Sequence, residues 1–193
     1  MKLIIASNNA HKIYEIKKIL SGKFDEIISL REAGIDHETV EDGKTFIENA
    51  LKKAREISEI SGECALADDS GITAHALGEE PGIYSARYAS IGDGNAKDED
   101  NNALLLKNLS DKEDKTAHYT SAIALVYPDG REVTAEGYMY GKIIDTPRGT
   151  RGFGYDPLFV MDGEERTVAE MTDEEKNSVS HRANALKALL AKI

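Results

Sequence analysis

Apolar and polar positions along this chain switch between two periods, and the switches mark its elements. Lys2 to Ala6 is a short apolar run of buried-strand type, ended by the polar stretch Ser7-Asn8-Asn9-Ala10-His11-Lys12. From Ile13 the apolar residues fall at 13, 16, 19 and 20, with Gly22 just beyond, which predicts a helix with a glycine stop. Phe24 to Leu30 reads as a second strand, and 31–43 as a polar, acidic loop with a helical turn. Positions 46, 47, 50, 51, 54, 57 and 60 then give an amphipathic helix over Thr45 to Ile60, opened by Thr45 and Glu48 as a capping box. Cys64 to Ala67 is the next buried strand, ending at Asp68, with Ile72 to Leu77 as an antiparallel return and Pro81-Gly82 as a turn. The chain is polar from Asp93 to Asn102, and Ala103 to Leu109 finishes a helix. Thr116 to Tyr127 and Arg131 to Tyr140 form a hairpin about Pro128-Asp129-Gly130. Five glycines or prolines within 146–157 predict a loop, followed by a short strand over Leu158 to Met161. Thr172 and Glu175 start a helical turn, and apolar positions 179, 183, 186, 189, 190 and 193 make the last helix. Strands alternating with helices predict an α/β fold, and no linker splits 1–193 into independent domains.

Composition narrows the function classes. At 193 residues, 40% hydrophobic and 31% charged, the chain has the make-up of a globular protein with one good core. A net charge of -11 argues against wrapping nucleic acid, yet leaves room for a nucleotide held by a local basic pocket and a divalent cation. The single Cys64 excludes an intrachain disulfide framework and reads as a small buried hydrophobe. No apolar run approaches the ~20 residues of a membrane span, and Met1 to Ala6 is too short for a signal sequence. The cytoplasm is the simplest address.

Candidate chemistry centres on Ala67-Asp68-Asp69-Ser70-Gly71. Two adjacent carboxylates at a strand end demand a cation or a proton; an Asx turn is the plainer reading of the same residues. Strand, polar turn, helix over 2–20 is the arrangement that aims backbone N–H groups at an anion, and Lys12 adds charge. It is not a Walker P-loop, and Asn8 and His11 stand where such turns often have glycine, both being tolerant of positive φ. An ordinary β–α turn remains the alternative. Glu41 can reach a shared Mg²⁺, and Lys53 can face a phosphate or solvent. Phe153 and Tyr155, held among glycines, suit a base-stacking platform. Arg182, in the first turn of the last helix, opposes the helix dipole, which hints at a role beyond helix stability or at an ion pair.

In order along the chain stand Ser7-x-Asn9-x-x-Lys12, Glu41-x-Gly43-x-Thr45-Phe46-x-Glu48-Asn49-Ala50, Ala67-Asp68-Asp69-Ser70-Gly71, Pro81-Gly82-x-x-Ser85-Ala86-Arg87-Tyr88, Gly152-Phe153-Gly154-Tyr155-Asp156-Pro157, and Lys176 with Ser180-His181-Arg182. Together they resemble the inosine triphosphate pyrophosphatase family over essentially the whole chain. Asn8 and His11 depart from the glycine of many relatives, and Ala89-Ser90 from a frequent Ser-Gly. The resemblance implies a long mixed twisted sheet flanked by helices, in two lobes with the active-site cleft between them, and a homodimer. It implies that Ser7, Asn8, Asn9, Ala10, His11 and Lys12 cradle the triphosphate and that Lys53 adds charge. Glu41 and Asp69 would hold Mg²⁺, with Asp69 also the general base and Asp68 supporting it. Ser70 would touch substrate; Phe153, Gly154, Tyr155 and Asp156 would flank the base and sugar; Lys176, His181 and Arg182 would read the base.

The implied reaction is cleavage of ITP, dITP or XTP between the α and β phosphates, giving monophosphate and pyrophosphate and clearing deaminated purines from the nucleotide pool. Such a transition state needs positioning and charge neutralisation above all. Donors such as Lys176 and Arg182 suit the 6-oxo group of hypoxanthine or xanthine and meet a mismatched amino group on adenine. Two other readings stand beside it: a nucleotide-binding module without turnover, and a pyrophosphatase for modified pyrimidines.

Overall fold

The structure is a computed structural model that describes residues 1–92 and 94–193, so Asp93, the head of the predicted polar stretch, lies outside the described residues. The elements are β1 (Lys2–Ile5), α1 (Ala10–Ile19), β2 (Glu26–Ser29), α2 (Phe46–Ser61), β3 (Cys64–Ala74), α3 (Asp98–Leu109), β4 (Thr116–Val126), β5 (Glu132–Ile143), β6 (Phe159–Met161), α4 (Asp173–Val179) and α5 (His181–Leu190), with short 3₁₀ turns between. The strand order is β2-β1-β3-β4-β5-β6. β1 pairs in parallel with β2 and β3, and β5 pairs antiparallel with β6, so the sheet is mixed as predicted. Among the described residues no helix is long and apolar enough to cross a membrane.

The chain forms two compact units. The first comprises Met1–Asp69, Ser121–Gly137 and His181–Ile193; the second comprises Ser70–Thr120 and Tyr138–Ser180. In the first unit the period-2 alternation of the strands divides the core in two. Leu3, Ile5, Cys64, Leu66, Ile123 and Leu125 face one way and pack with Ile16 of α1 and Ala185, Leu186 and Leu189 of α5. Ile4, Ala65, Ala67, Ala124 and Val126 face the other way and pack with Ala50, Ala54 and Ile57 of α2. Both faces are dry, which is why these strands read as continuous apolar runs rather than alternating ones. In the second unit Ile72, Leu105, Leu109, Tyr119, Met139, Tyr155, Leu158 and Phe159 share a core.

One predicted boundary is corrected, and it matters for the site. The strand does not end at Asp68: β3 runs on through Asp69, Ser70 and Gly71 to Ala74, and the expected antiparallel return over 72–77 is the same strand followed by a 3₁₀ turn at His75–Leu77. Gly71 is therefore no turn residue. It is required by close approach in the second unit, where a Cβ would strike the Ser85 side chain and come within 2.5 Å of the Gly82 carbonyl. Ser85 Oγ accepts the Ile72 N–H at 2.9 Å and donates to Gly82 O at 2.6 Å, so it cannot move aside without losing both bonds. Gly71→Ala should destabilise by about 1–3 kcal/mol in urea unfolding; an unchanged midpoint would contradict this packing.

Smaller differences follow from capping. α1 begins at Ala10 rather than Ile13 because the Asn9 side chain accepts the His11 and Lys12 N–H groups at 3.0 and 3.1 Å. At α2, Thr45 Oγ1 accepts the Glu48 N–H, but Glu48 returns to the Lys44 N–H, one residue earlier than a capping box requires. The box at Thr172 and Glu175 is complete.

Candidate functional site

Because β3 continues as a strand, Asp68 and Asp69 point to opposite faces of the sheet. Asp68 shares the face of Cys64 and Leu66, toward α1 and α5; Asp69 shares the face of Ala65 and Ala67, toward α2. The two carboxylates thus face different hydrogen-bonding partners on opposite sides of the sheet, rather than sitting together at one strand end, although the Lys12 charge acts on both.

Asp68 is fully buried. Its Oδ2 takes the Lys12 ammonium at 2.7 Å and Nη2 of Arg182 at 3.2 Å, and its Oδ1 accepts Ser121 Oγ at 2.5 Å. Burial alone would push its pKa up, but Arg182 and then Lys12 outweigh this and hold the carboxyl well below the usual range. Arg182 is also fully buried and pairs through Nη1 with Glu15 on α1. That pairing accounts for a cation at the start of α5: two carboxylates neutralise it where the helix dipole does not. Burial lowers the pKa of Arg182, yet Asp68 and Glu15 more than reverse this. α5 approaches β5 closely at Gly137, where a Cβ would lie 2.8 Å from Ala185 Cα and collide with the His181 carbonyl. This contact sets the start of α5, and with it His181 and Arg182. His181 is buried in the same unit.

Asp69 is nearly buried and has its own set of partners. Asn49 on α2 donates to Oδ2 at 3.0 Å while accepting the Gly43 N–H at 2.8 Å, so one amide ties the acidic loop to β3. The Lys53 ammonium lies 3.3 Å from Asp69 Oδ1, 2.9 Å from Glu41 Oε1 and 3.0 Å from the Asp68 carbonyl. Burial raises the pKa of Asp69, Lys53 and Lys12 counter it, and the like charge that adds to the rise is Glu41. For Lys53, burial works against the ammonium, but Asp69 and Glu41 prevail and its pKa is raised. Two carboxylates therefore converge on one cation, here the side chain of Lys53. Among the described residues no cluster of three or more His, Cys, Asp or Glu could enclose a metal. Two hard carboxylates with the remaining positions left to water and phosphate is a donor set that suits Mg²⁺.

The Ser7–Lys12 turn is largely exposed. Ser7 Oγ accepts the Asn9 N–H at 3.1 Å, and Asn9 caps the helix. Neither Asn8 nor His11 uses positive φ; among the described residues Glu79 is the one non-glycine that does. The departures from glycine thus cost the turn nothing in backbone strain.

In the second unit, Asp156 is buried and accepts Lys176 Nζ at 2.7 Å, the Phe153 N–H at 3.0 Å and Tyr119 OH at 3.2 Å. Gly152 is obligatory beside it, since φ is +74° and a Cβ would meet the Asp156 carboxylate. The Lys176 ammonium sits 4.7 Å from the Phe153 ring centroid. The two loop aromatics differ: Phe153 is half-exposed, whereas Tyr155 is in the core and donates to the Ser85 carbonyl at 2.7 Å. Tyr155 is an anchor of the loop rather than a stacking surface. Gly154 is fixed from α3, its N–H on Asp98 at 2.6 Å and its carbonyl on Asn102 at 3.1 Å. Ser70 lies in β3, half-buried.

Glu15, Asn49, Ser121 and Tyr119 were not among the sequence-predicted site residues. Asn49 stood inside a motif without a role, and Arg182's conflict with the dipole was the signal for Glu15.

A model of the Ham1 family matches residues 3–192. A dITP/XTP pyrophosphatase from Geobacter sulfurreducens is 48% identical over 190 residues, covering 97% of this chain and 94% of the relative. One from Ralstonia nicotianae is 45% identical over 194 residues, covering 100% and 96%. Among solved structures, a HAM1 protein from Coxiella burnetii superposes with a TM-score of 0.88 at 36% identity, covering 100% of both chains. A structure from Mycobacterium abscessus, described as a nucleoside-triphosphatase and dITP/XTP pyrophosphatase, has a TM-score of 0.78 at 44% identity, covering 98% and 99%.

Proposed function

Because the chain belongs to the Ham1 family, we propose that it hydrolyses ITP, dITP and XTP to the monophosphate and pyrophosphate with Mg²⁺. It is a nucleoside triphosphate pyrophosphatase, as its relatives at 45–48% identity are named. The observation that carries the site assignment is the opposite facing of the two aspartates. Asp68 is locked by Lys12, Ser121 and Arg182, while Asp69 faces Glu41, Lys53 and Asn49.

In this reading Glu41 and Asp69 hold the metal, which supplies Lewis-acid charge to the phosphate oxygens when bound. Asp69 also positions the attacking water and takes its proton. Asn49 keeps Asp69 oriented, with its second hydrogen bond anchoring the loop that carries Glu41. Lys53 and Lys12 neutralise phosphate charge, and Glu41 and Asp69, which Lys53 bridges here, would be the carboxylates that hold the metal. Ser7 to Lys12 contact the triphosphate through the exposed turn. Asp68 acts through Lys12 by fixing its ammonium. Ser70 contacts substrate. Phe153 offers its half-exposed ring to the base, and Gly154, Tyr155 and Asp156 shape that loop. Lys176 and His181 read the 6-oxo group. Arg182, held by Glu15 and Asp68, fixes the first turn of α5 and with it His181. The chain acts as one catalytic domain and as a homodimer.

The test is product analysis with Mg²⁺ and separate ITP, XTP, dITP, ATP and GTP. Pyrophosphate with monophosphate from the first three, and little from the others, is expected, with discrimination against ATP of roughly 10⁴-fold. Orthophosphate with diphosphate would place the cleavage elsewhere. Binding of ITP without turnover would favour a binding module.

A further inference from the structure

Within the second unit, His75 and His118 form a pair that the pyrophosphatase chemistry does not use. His75 follows β3 in the 3₁₀ turn and is exposed; His118 lies on β4 and is half-buried. Their facing nitrogens, Nε2 of His75 and Nδ1 of His118, are 2.9 Å apart.

The hydrogen bonds around the pair settle its tautomers. Thr116 Oγ1 donates to Asp114 Oδ1 at 2.6 Å, so toward His75 Nδ1, 2.9 Å away, it can only accept. His75 therefore carries its proton on Nδ1 and, when neutral, presents a lone pair on Nε2. Carboxylate, hydroxyl and imidazole in sequence is the outer-shell arrangement that orients a metal-ligating histidine. His118 Nδ1–H donates to that lone pair in the absence of a cation. The rings of Tyr138 and Tyr140 lie 6.0 and 5.4 Å from that of His118 and limit its freedom to turn.

The geometry points to His75 and His118 as a two-imidazole site for a first-row transition-metal dication of the Cu²⁺ or Ni²⁺ type. Two nitrogens each ~2.05 Å from a metal and at right angles to one another lie about 2.9 Å apart; in a tetrahedral site they lie about 3.3 Å apart. The 2.9 Å hydrogen-bond spacing of the pair already matches the separation that cis ligands need, so a cation can replace the shared proton with little movement of either ring. The tautomer change balances within one ring: the His118 proton moves from Nδ1 to Nε2, and both lone pairs then turn to the metal. No three-residue cluster of His, Cys, Asp or Glu exists among the described residues, so water fills the remaining positions and the metal stays exchangeable. Glu79 and Asp114 give the neighbourhood the charge to attract a cation.

The experiment is titration of the purified full chain with Cu²⁺, followed by calorimetry and electron paramagnetic resonance. The wild type should bind with a two-nitrogen coordination signature. His75→Ala or His118→Ala should each remove one nitrogen and weaken binding at least ~10-fold. His37→Ala, whose imidazole is held by Glu56, should change neither. All three variants should keep the wild-type circular dichroism and pyrophosphatase activity. The same affinity and signal in the double His75→Ala/His118→Ala variant would place the copper on other imidazoles or the chain terminus and overturn the proposal.

Discussion

Asp69→Asn should lower pyrophosphate release from ITP at least ~100-fold while leaving the fold intact. The two halves of that result come from one environment. Asp69 is the carboxylate that Glu41 and Lys53 face and that Asn49 orients, so replacing an oxygen by an amide removes the anionic donor and the proton acceptor together. Stability moves the other way. Burial raises the pKa of Asp69, and a raised carboxylate pKa means that the charged form is disfavoured on folding. The isosteric neutral side chain should thus melt at or above the wild-type temperature. Single-turnover hydrolysis with saturating Mg²⁺, with thermal melts alongside, reads both. A variant that loses rate and melts early would mean that Asp69 is structural. A variant that keeps the rate would remove it from the chemistry.

The strand carrying Asp68 and Asp69 was legible in the sequence, and the opposite facing of the two follows from the strict alternation of side chains along it. Once Cys64 and Leu66 face one helical layer and Ala65 and Ala67 the other, Asp68 and Asp69 must follow in turn. What hid the consequence was the apolar run stopping at Asp68. A strand carrying Asp-Asp-Ser-Gly looks finished, since those residue types usually mark turns. It continues because each polar group has a partner waiting: Lys12, Ser121 and Arg182 for Asp68, Asn49 for Asp69, and a gap for Gly71 against Ser85. Local propensity could not show partners contributed by other elements. Helix starts failed or held for local reasons instead. Asn9 as a cap was readable in principle, whereas Glu48 turning to Lys44 rather than Thr45 was not. The loop at 146–157 was recognised from its glycines and prolines, but the division of labour between half-exposed Phe153 and buried Tyr155 depends on Ser85, 70 residues away in sequence.

Arg182→Ala should be the most destabilising single change in the first unit, costing about 3–5 kcal/mol. The guanidinium is fully buried between Glu15 and Asp68, groups separated from it by 167 and 114 residues. Removing it leaves two acids in a dry layer between β3, α1 and α5. Asp68 retains Lys12 and Ser121, so the larger loss falls on Glu15. The deficit should depend on pH with a definite sign. In the wild type the pKa of Asp68 is depressed, so its contribution is present above the unfolded carboxylate value and disappears only as pH falls through the lower folded value. In the variant Asp68 loses the largest of the charges that depress it and titrates higher than in the wild type, so acidification relieves its buried charge while the wild-type Asp68 is still ionised. Urea unfolding at about pH 7.5 and about pH 5 should therefore show the gap between the two proteins narrowing at the lower pH. Pairing the change with Glu15→Gln should recover part of the loss, because a neutral amide needs no counter-charge. A gap that stays constant with pH, and no recovery from Glu15→Gln, would mean that Arg182 stabilises the layer by packing volume and not as the cation between two buried acids.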